Sequence, residues 1–298
     1  MTYSKYFLYK KQLSYDGGQT WVDTDPLETT TSGEPIATYD TLEECESGTP
    51  KFYATYSDGT SYMIDCTSTG DTLTSADTRG HSTAYSAMTE AVIGSCVTTI
   101  GTYALGWDDQ HQGFFDSLTS VTIPESVTTI GDRAFQGCSG LTRLNSDVDG
   151  VFNIPSNVTS IGYVAFGGCT SLTSLTIPSG VTVIDEFTFG HCTSLPSLTI
   201  HDNVTRIKHG AFYECTGLIS VVIGSGVTTI ESYAFMYCTS LQSVTIHATT
   251  PPTMTEFMGG YPFDETNNCP IYVPSDSVNQ YKNAQIWNRY ASRIQAIP

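Results

Sequence analysis

From residue 97 onward, apolar positions recur in two alternating phrases. The first is V-x-x-I-x-x-x-A-F-x-x-C, present as VTTIGTYAL (97–105), VTTIGDRAFQGC (127–138), VTSIGYVAFGGC (158–169), VTVIDEFTFGHC (181–192), VTRIKHGAFYEC (204–215) and VTTIESYAFMYC (227–238). Between them lies L-x-x-V/L-x-I, as LTSVTIP (118–124), LTSLTIP (172–178), LPSLTIH (195–201), LISVVIG (218–224) and LQSVTIH (241–247). Ile161, Ile184, Ile207 and Ile230 follow one another at intervals of 23 residues. Apolar residues two apart suit a short strand with one face turned inward. Pro, Gly or His ends that strand, V-x-x-I supplies a second inward edge, and A-F-x-x-C predicts a tight helical or 3-10 turn. Each coil carries about eight apolar residues that it cannot bury alone, so the coils must stack. Parallel strands roughly 4.8 Å apart would give about eight coils a length of about 40 Å.

Two spacings are longer. Ile100 to Ile130 includes GWDDQHQGFFD (106–116), and Ile130 to Ile161 includes LNSDVDGVFN (144–153). Both are expected to bulge from one coil each without breaking the stack. After residue 254 the pattern dissolves into a long loop, a strand expected at 270–273, and a segment with Ser275 as its expected N-cap. Val278, Tyr281, Ile286, Trp287 and Ile294 are its expected apolar anchors, making 254–298 a C-terminal cap. An uncapped end would expose a core face and an open strand edge.

The IP-x-x-VT-x-I-x-x-x-AF-x-x-C-x-x-L blocks resemble the BspA-type leucine-rich repeat family over about residues 85–298. That resemblance implies a curved solenoid used for adhesion or recognition rather than catalysis, in a family with many surface proteins of gut and oral bacteria and of some protists. The expected fold class is an α/β-type repeat solenoid: a right-handed leucine-rich-repeat stack of short parallel strands with tight helical or 3-10 turns, plus a small N-terminal β-unit. Residues 1–50 would form that unit. Residues 51–298 would form the solenoid, with an N-terminal cap over about 51–95 in which Met88, Ala91 and Ile93 imitate L-x-x-V-x-I.

Within the N-terminal segment, SYDGGQTW (14–21) resembles the Asp-box pattern S-x-D-x-G-x-T-W of sialidases and of many unrelated β-proteins. The flanking residues read as strand arms around DGG, a hairpin signal. Asp and Ser can bond local backbone there, and glycine accepts positive φ. A turn therefore accounts for the whole pattern. A sialidase would need three arginines gripping a carboxylate, whereas Arg79, Arg133, Arg143, Arg206, Arg289 and Arg293 are scattered. KFYATYSDGTSYMID (51–65) predicts a second hairpin.

Composition sharpens this picture. Of 298 residues, 39% are hydrophobic and only 14% charged, and the polar remainder is rich in Thr, Ser, Gly and Tyr, which favours strands and turns. The net charge of −18, with 12 basic residues and no basic run, repels phosphate backbones and anionic membranes. Nucleic acid and membrane insertion are therefore not expected. No stretch approaches a membrane span, and MTYSKYFLYKKQ lacks the apolar region of a leader.

The nine cysteines cannot form a complete disulfide framework within one chain. Cys138, Cys169, Cys192, Cys215 and Cys238 share one place in successive coils. Their parallel side-chain vectors suit neither a converging metal site nor the near-perpendicular disulfide dihedral. They are expected to be packed core thiols. Cys45 and Cys66 flank the second hairpin and could bridge, Cys96 precedes a VTTI block, and Cys269 lies outside the column.

No catalytic or metal-ligating set is expected, and no cofactor. NSDVDG (145–150) has the beginning of a calcium loop, but Ser156 stands where the bidentate Glu is needed. Asp108, Asp109 and His111 read as a solvated loop, and His201 and His247 are two coils apart. The expected site is a surface. Phe187, His191, His209, Tyr213, Tyr233 and Tyr237 occupy variable positions of adjacent coils, where rings could form one exposed recognition patch or simply cover the turn. The Thr- and Ser-rich strand face (Thr119, Thr122, Ser174, Thr176, Ser197, Thr199, Ser243, Thr245) is its rival. The expected function is a noncatalytic cell-surface or extracellular binding or adhesion protein whose partner is a host or bacterial surface protein or a glycan. A structural spacer or virion or tail component is the alternative, with a glycosidase third.

Overall fold

A computed structural model of the chain describes residues 12–14, 21–23, 50–59, 61–65, 70–79, 85–106 and 115–298. Within them the repeat folds as a solenoid of short strands. Strand Ser197–Ile200 pairs in parallel with Ser220–Ile223, which pairs with Ser243–Ile246, then Ile271–Val273 and Ile294–Ala296. The V-x-x-I segments build a second parallel ladder, Val183–Ile184, Arg206–Ile207, Thr229–Ile230 and Thr253–Met254. Register is fixed by the core: Ile200, Ile223 and Ile246 align and are all buried, and a one-residue slip would turn each outward.

The turn segment departs from the expected helical form. Among the described residues, helix is confined to Ser75–Arg79, Tyr85–Ala87 and the C-terminal region; A-F-x-x-C is a succession of tight turns. Residues at the third and seventh places after the repeat isoleucine hold positive φ, for example Arg133 and Gly137, or Phe187 and His191. Left-handed residues interrupt any right-handed helix. The α/β label therefore fits loosely, and the fold is a parallel-strand solenoid of about nine turns.

Inside, a column of phenylalanines runs along the axis. Phe135, Phe166, Phe189, Phe212, Phe235 and Phe263 stack with successive centroids 5.0–5.6 Å apart. The column cysteines lie beside them, fully buried and unbridged. Each thiol donates to a carbonyl of the preceding coil: Cys138 to Leu105, Cys169 to Phe135, Cys192 to Phe166, Cys215 to Phe189 and Cys238 to Phe212, at 3.1–3.4 Å. Burial pushes the Cys169 and Cys215 thiols up to about 12.

The insertion at 144–153 does affect the stack. Ser174 donates to the carbonyl of Gly150 and accepts from the Phe152 amide. The expected strand at 172–178 is reduced to a bridge between Asn153 and Thr176. No strand pair joins Ser160–Ile161 to Val183–Ile184 among the described residues. Continuity passes to the turn side, where Phe166 stacks on Phe189 at 5.6 Å.

At the N-terminal end, strand Pro50–Tyr56 pairs antiparallel with Ser61–Asp65 and with Met88–Ile93. The last of these joins the solenoid in parallel through Ser120–Thr122. Strands Gln12–Ser14 and Trp21–Asp23, the arms around the Asp-box-like turn, pair antiparallel with Ser14 opposite Trp21; residues 15–20 lie outside the described residues. At the other end, Ser275 is not the helix N-cap. Pro274 precedes a 3-10 turn at Ser275–Ser277, and Ser277 precedes helix Val278–Asn283 without a capping bond. Its hydroxyl reaches Thr249 O instead. The C-terminal segment is anchored by Tyr281 Oη donating to Ala248 O and Trp287 Nε1 donating to Pro252 O, at 2.8 and 2.7 Å.

Candidate recognition surface

The six aromatic positions singled out by the repeat stand on the turn side of the solenoid. The amides of Phe187, Phe189 and His191 donate to His209 O, Ala211 O and Tyr213 O of the next coil, at 3.0, 2.9 and 2.7 Å. The amides between them, Thr188 and Gly190, close turns onto Asp185 O and Phe187 O. One amide therefore points along the stack and the next folds back. Side chains at the left-handed places project from this stitched backbone.

Those places are costly for anything but glycine. Phe187, His191, Tyr233 and Tyr237 have φ of 51°, 60°, 62° and 63°. A bulky residue there is an outlier, at a cost of about 1–2 kcal/mol each. Glycine fills the same places in other coils, as Gly137, Gly168 and Gly210.

The structure joins all six side chains into one cluster. His209 lies 5.1 Å from Phe187 and 4.8 Å from Tyr233. Tyr213 contacts Phe187, His191, Tyr233 and Tyr237 at centroid distances of 5.9, 5.4, 6.3 and 5.6 Å. Most pairs meet edge to face, the favourable arrangement for aromatic quadrupoles. Phe187, His209, Tyr213 and Tyr233 are half-buried, while Tyr237 is 37% exposed. The rings pack on one another, and of the six His191 and Tyr237 are exposed to solvent.

Several neighbours were not visible in the sequence pattern. Phe257, 50% exposed, and Met258, 87% exposed, form the tip of the loop after strand Thr253–Met254. Phe257 lies 5.6 Å from His209 and 6.3 Å from Tyr233, and Tyr233 Oη donates to its carbonyl at 2.7 Å. This loop is aperiodic, so the repeat carried no signal for it. Tyr163 extends the ridge the other way, 6.5 Å from Phe187. Beyond it Arg133 sits between the Tyr163 and Tyr103 rings, 5.1 and 5.5 Å from their centroids. Tyr103 and Arg133 share the repeat position of Phe187 and Tyr233, which was a signal available in the sequence.

Carboxylates border the rings. Glu214 Oε2 lies 3.1 Å from His191 Nδ1. The Tyr213 hydroxyl is raised above the ordinary phenol range, first by partial burial and then by its hydrogen bond to Glu214. Glu186 and Glu256 are exposed. Lys208 pairs with Asp185 and Arg206 with Glu231, so no Lys or Arg pairs with Glu186, Glu214 or Glu256 among the described residues.

On the rival strand face, two of the eight hydroxyls bond backbone carbonyls. Thr119 donates to Thr89 O and Ser174 to Gly150 O. Ser197, Ser220 and Ser243 align, but Val222 separates Thr199 from Thr245. In the NSDVDG turn, Asn145 bonds the Ile123 amide and Asn153 O, while Asp149 faces Arg143 at 3.4 Å. His201 Nε2 is 3.0 Å from Pro178 O. Among the described residues, no group of three or more His, Cys, Asp or Glu could hold a metal ion. Arg289 and Arg293 line one pocket, while Arg133 and Arg206 are engaged elsewhere, so no three of these arginines converge. Asp108, Asp109, His111, Cys45 and Cys66 lie outside the described residues. Cys96 is disulfide-bonded, which its sequence position did not foretell.

A family model for the BspA type leucine-rich repeat region matches the chain in six copies, over residues 110–149 and 150–275. No curated protein matches. Among solved structures, a leucine-rich repeat protein from Bacteroides ovatus is similar at 27% identity, over 59% of this chain and 43% of that one, with a TM-score of 0.43. The chain thus spans less than half of that protein. The T. pallidum leucine-rich repeat protein matches at 27% identity, over 58% of this chain and 77% of its own, with a TM-score of 0.47. The pneumococcal vaccine antigen PcpA matches at 18%, over 67% and 58%, with a TM-score of 0.36.

Proposed function

Because this chain belongs to the BspA-type leucine-rich repeat family, we propose that it is a noncatalytic cell-surface or secreted binding protein that recognises a protein or glycan through its aromatic ridge. The observation that carries this reading is the single connected cluster formed by Phe187, His191, His209, Tyr213, Tyr233 and Tyr237. Four of these residues stand where glycine would relax the backbone, and strain of this kind concentrates at functional places. A ridge stitched coil to coil by backbone bonds is already ordered, so little entropy is lost when a partner docks. The disulfide at Cys96 supports an oxidising compartment, where such bonds persist. No helix among the described residues is long and apolar enough to cross a membrane.

The test compares the protein with its Tyr213→Ala/Tyr237→Ala variant on arrays of glycans and of extracellular host proteins. Loss of two ridge rings should weaken the partner captured by the native chain by roughly 2 kcal/mol, with the thermal midpoint nearly unchanged. Equal affinity of both proteins for that partner removes the ridge as the binding surface.

A further inference from the structure

Among the described residues, the chain's own cations stack on rings at both ends of the ridge and on none of the rings between; Lys208 and Arg206, beside His209, pair with Asp185 and Glu231 instead. At one end the Arg133 guanidinium lies between the rings of Tyr103 and Tyr163, at 5.5 and 5.1 Å. At the other, Arg289 sits over Tyr261, 3.9 Å from its centroid; Tyr261 holds the repeat position of Tyr233, two residues before the stacked Phe263. Between these ends stand the rings from Phe187 to Phe257. Each of Glu186, Glu214 and Glu256 adjoins one of those rings in the chain. None of the three has a Lys or Arg partner among the described residues.

Aromatic faces attract guanidinium and ammonium groups, arginine most often. Carboxylates at the rim strengthen that attraction, and a net charge of −18 steers a cationic partner inward. We infer that the ridge from Phe187 to Phe257 receives an arginine- or lysine-bearing segment of a protein partner, the basic side chains seating among the rings as Arg133 seats between Tyr103 and Tyr163. This rests on the ridge being the binding surface, and it names the chemistry of what binds there. A neutral glycan would stack on the rings and donate hydroxyl hydrogen bonds to the carboxylates, but it carries no charge to complement theirs.

The test uses the full chain and a synthetic peptide of alternating arginine and glycine. Its counterpart has citrulline for arginine, which keeps the shape and loses the charge. In fluorescence anisotropy the arginine peptide should bind about tenfold tighter than the citrulline peptide. Glu214→Gln and Tyr237→Ala should each weaken it about fivefold. Glu125→Gln, in the turn that follows strand Ser120–Thr122, should leave binding unchanged. Equal binding of the two peptides, or an equal loss from Glu125→Gln, overturns the cationic partner. If that happens while Tyr213→Ala/Tyr237→Ala still weakens capture on the arrays, the ridge remains the binding surface and only its assigned chemistry falls. If neither peptide nor array responds to the ridge variants, both readings fall together.

Discussion

The Phe187 ring lies against the Gly210 backbone of the next coil. A Cβ on Gly210 would stand 2.4 Å from Phe187 Cε1, and Gly210 itself holds φ +60°. One coil's aromatic residue at the left-handed place therefore depends on the next coil having glycine there. The Tyr233 ring likewise covers Gly260, one place before the position of Gly210 and without a left-handed φ: a Cβ there would fall inside the ring.

Gly210→Ala should thus destabilise the fold by about 1–3 kcal/mol, from overpacking and the left-handed backbone together. Adding Phe187→Ala should recover the overpacking part and leave the backbone part. A double-mutant cycle by urea denaturation measures the coupling. Additive losses would show that ring and glycine do not touch in solution.

The column cysteines should be silent towards thiol reagents in the native protein and fully reactive once it is denatured. The thiolate is the reactive species, and burial holds Cys169 and Cys215 near 12 against an ordinary 9.0. Rapid native labelling of any of the five would contradict their place in the stack.

The same shifts set an alkaline limit on stability. The folded pKa lies above the unfolded one, so the stabilisation is complete below about pH 9. It is lost as pH rises towards 12, because only the unfolded chain releases these protons readily. Each pH unit in that window removes about 1.4 kcal/mol per thiol. Urea midpoints measured from pH 8 to 11 should fall progressively; a Cys169→Ala/Cys215→Ala variant, less stable at pH 8, should fall less steeply.

Two phenylalanines, two coils apart, should behave oppositely. Phe212 is fully buried in the ring column and Phe257 is half exposed. Phe212→Ala should cost about 3–5 kcal/mol. Phe257→Ala should cost under about 1 kcal/mol while weakening partner capture. Thermal melts alongside the arrays separate the two roles.

The C-terminal cap should be required for solubility. Trp287 and Tyr290 contact the last ring of the column, Phe263, at 6.0 Å, and strand Ile294–Ala296 closes the sheet edge. Truncation after residue 274 would bare that ring and that edge. Concentration-dependent association in light scattering is the expected outcome; a monodisperse truncated chain would assign the cap no such role.

Much of this was legible because repetition makes each coil a copy of its neighbour's problem. The inward leucines, isoleucines and valines, the cysteine column and the six ridge residues all follow from register. Phe257 and Met258 escaped, since their loop belongs to no repeat, and so did the interrupted ladder between Ile161 and Val183. There a side chain, Ser174, takes the bonds that a strand would have made. The helical turn expected for A-F-x-x-C failed because apolar spacing carries no information about the sign of φ.

By itself, the sequence determined the coil period, the inward face of each strand and the residues that share a column. All three are consequences of side chains along one turn that must be buried against an identical turn. Tertiary structure alone decided that the turn is left-handed at two places and that the ridge rings meet edge to face over glycine. It also decided that an aperiodic loop tip completes the surface, and that Cys96 is bridged. These depend on backbone dihedrals and on distances between separate segments, which a linear pattern of apolar and polar letters does not encode.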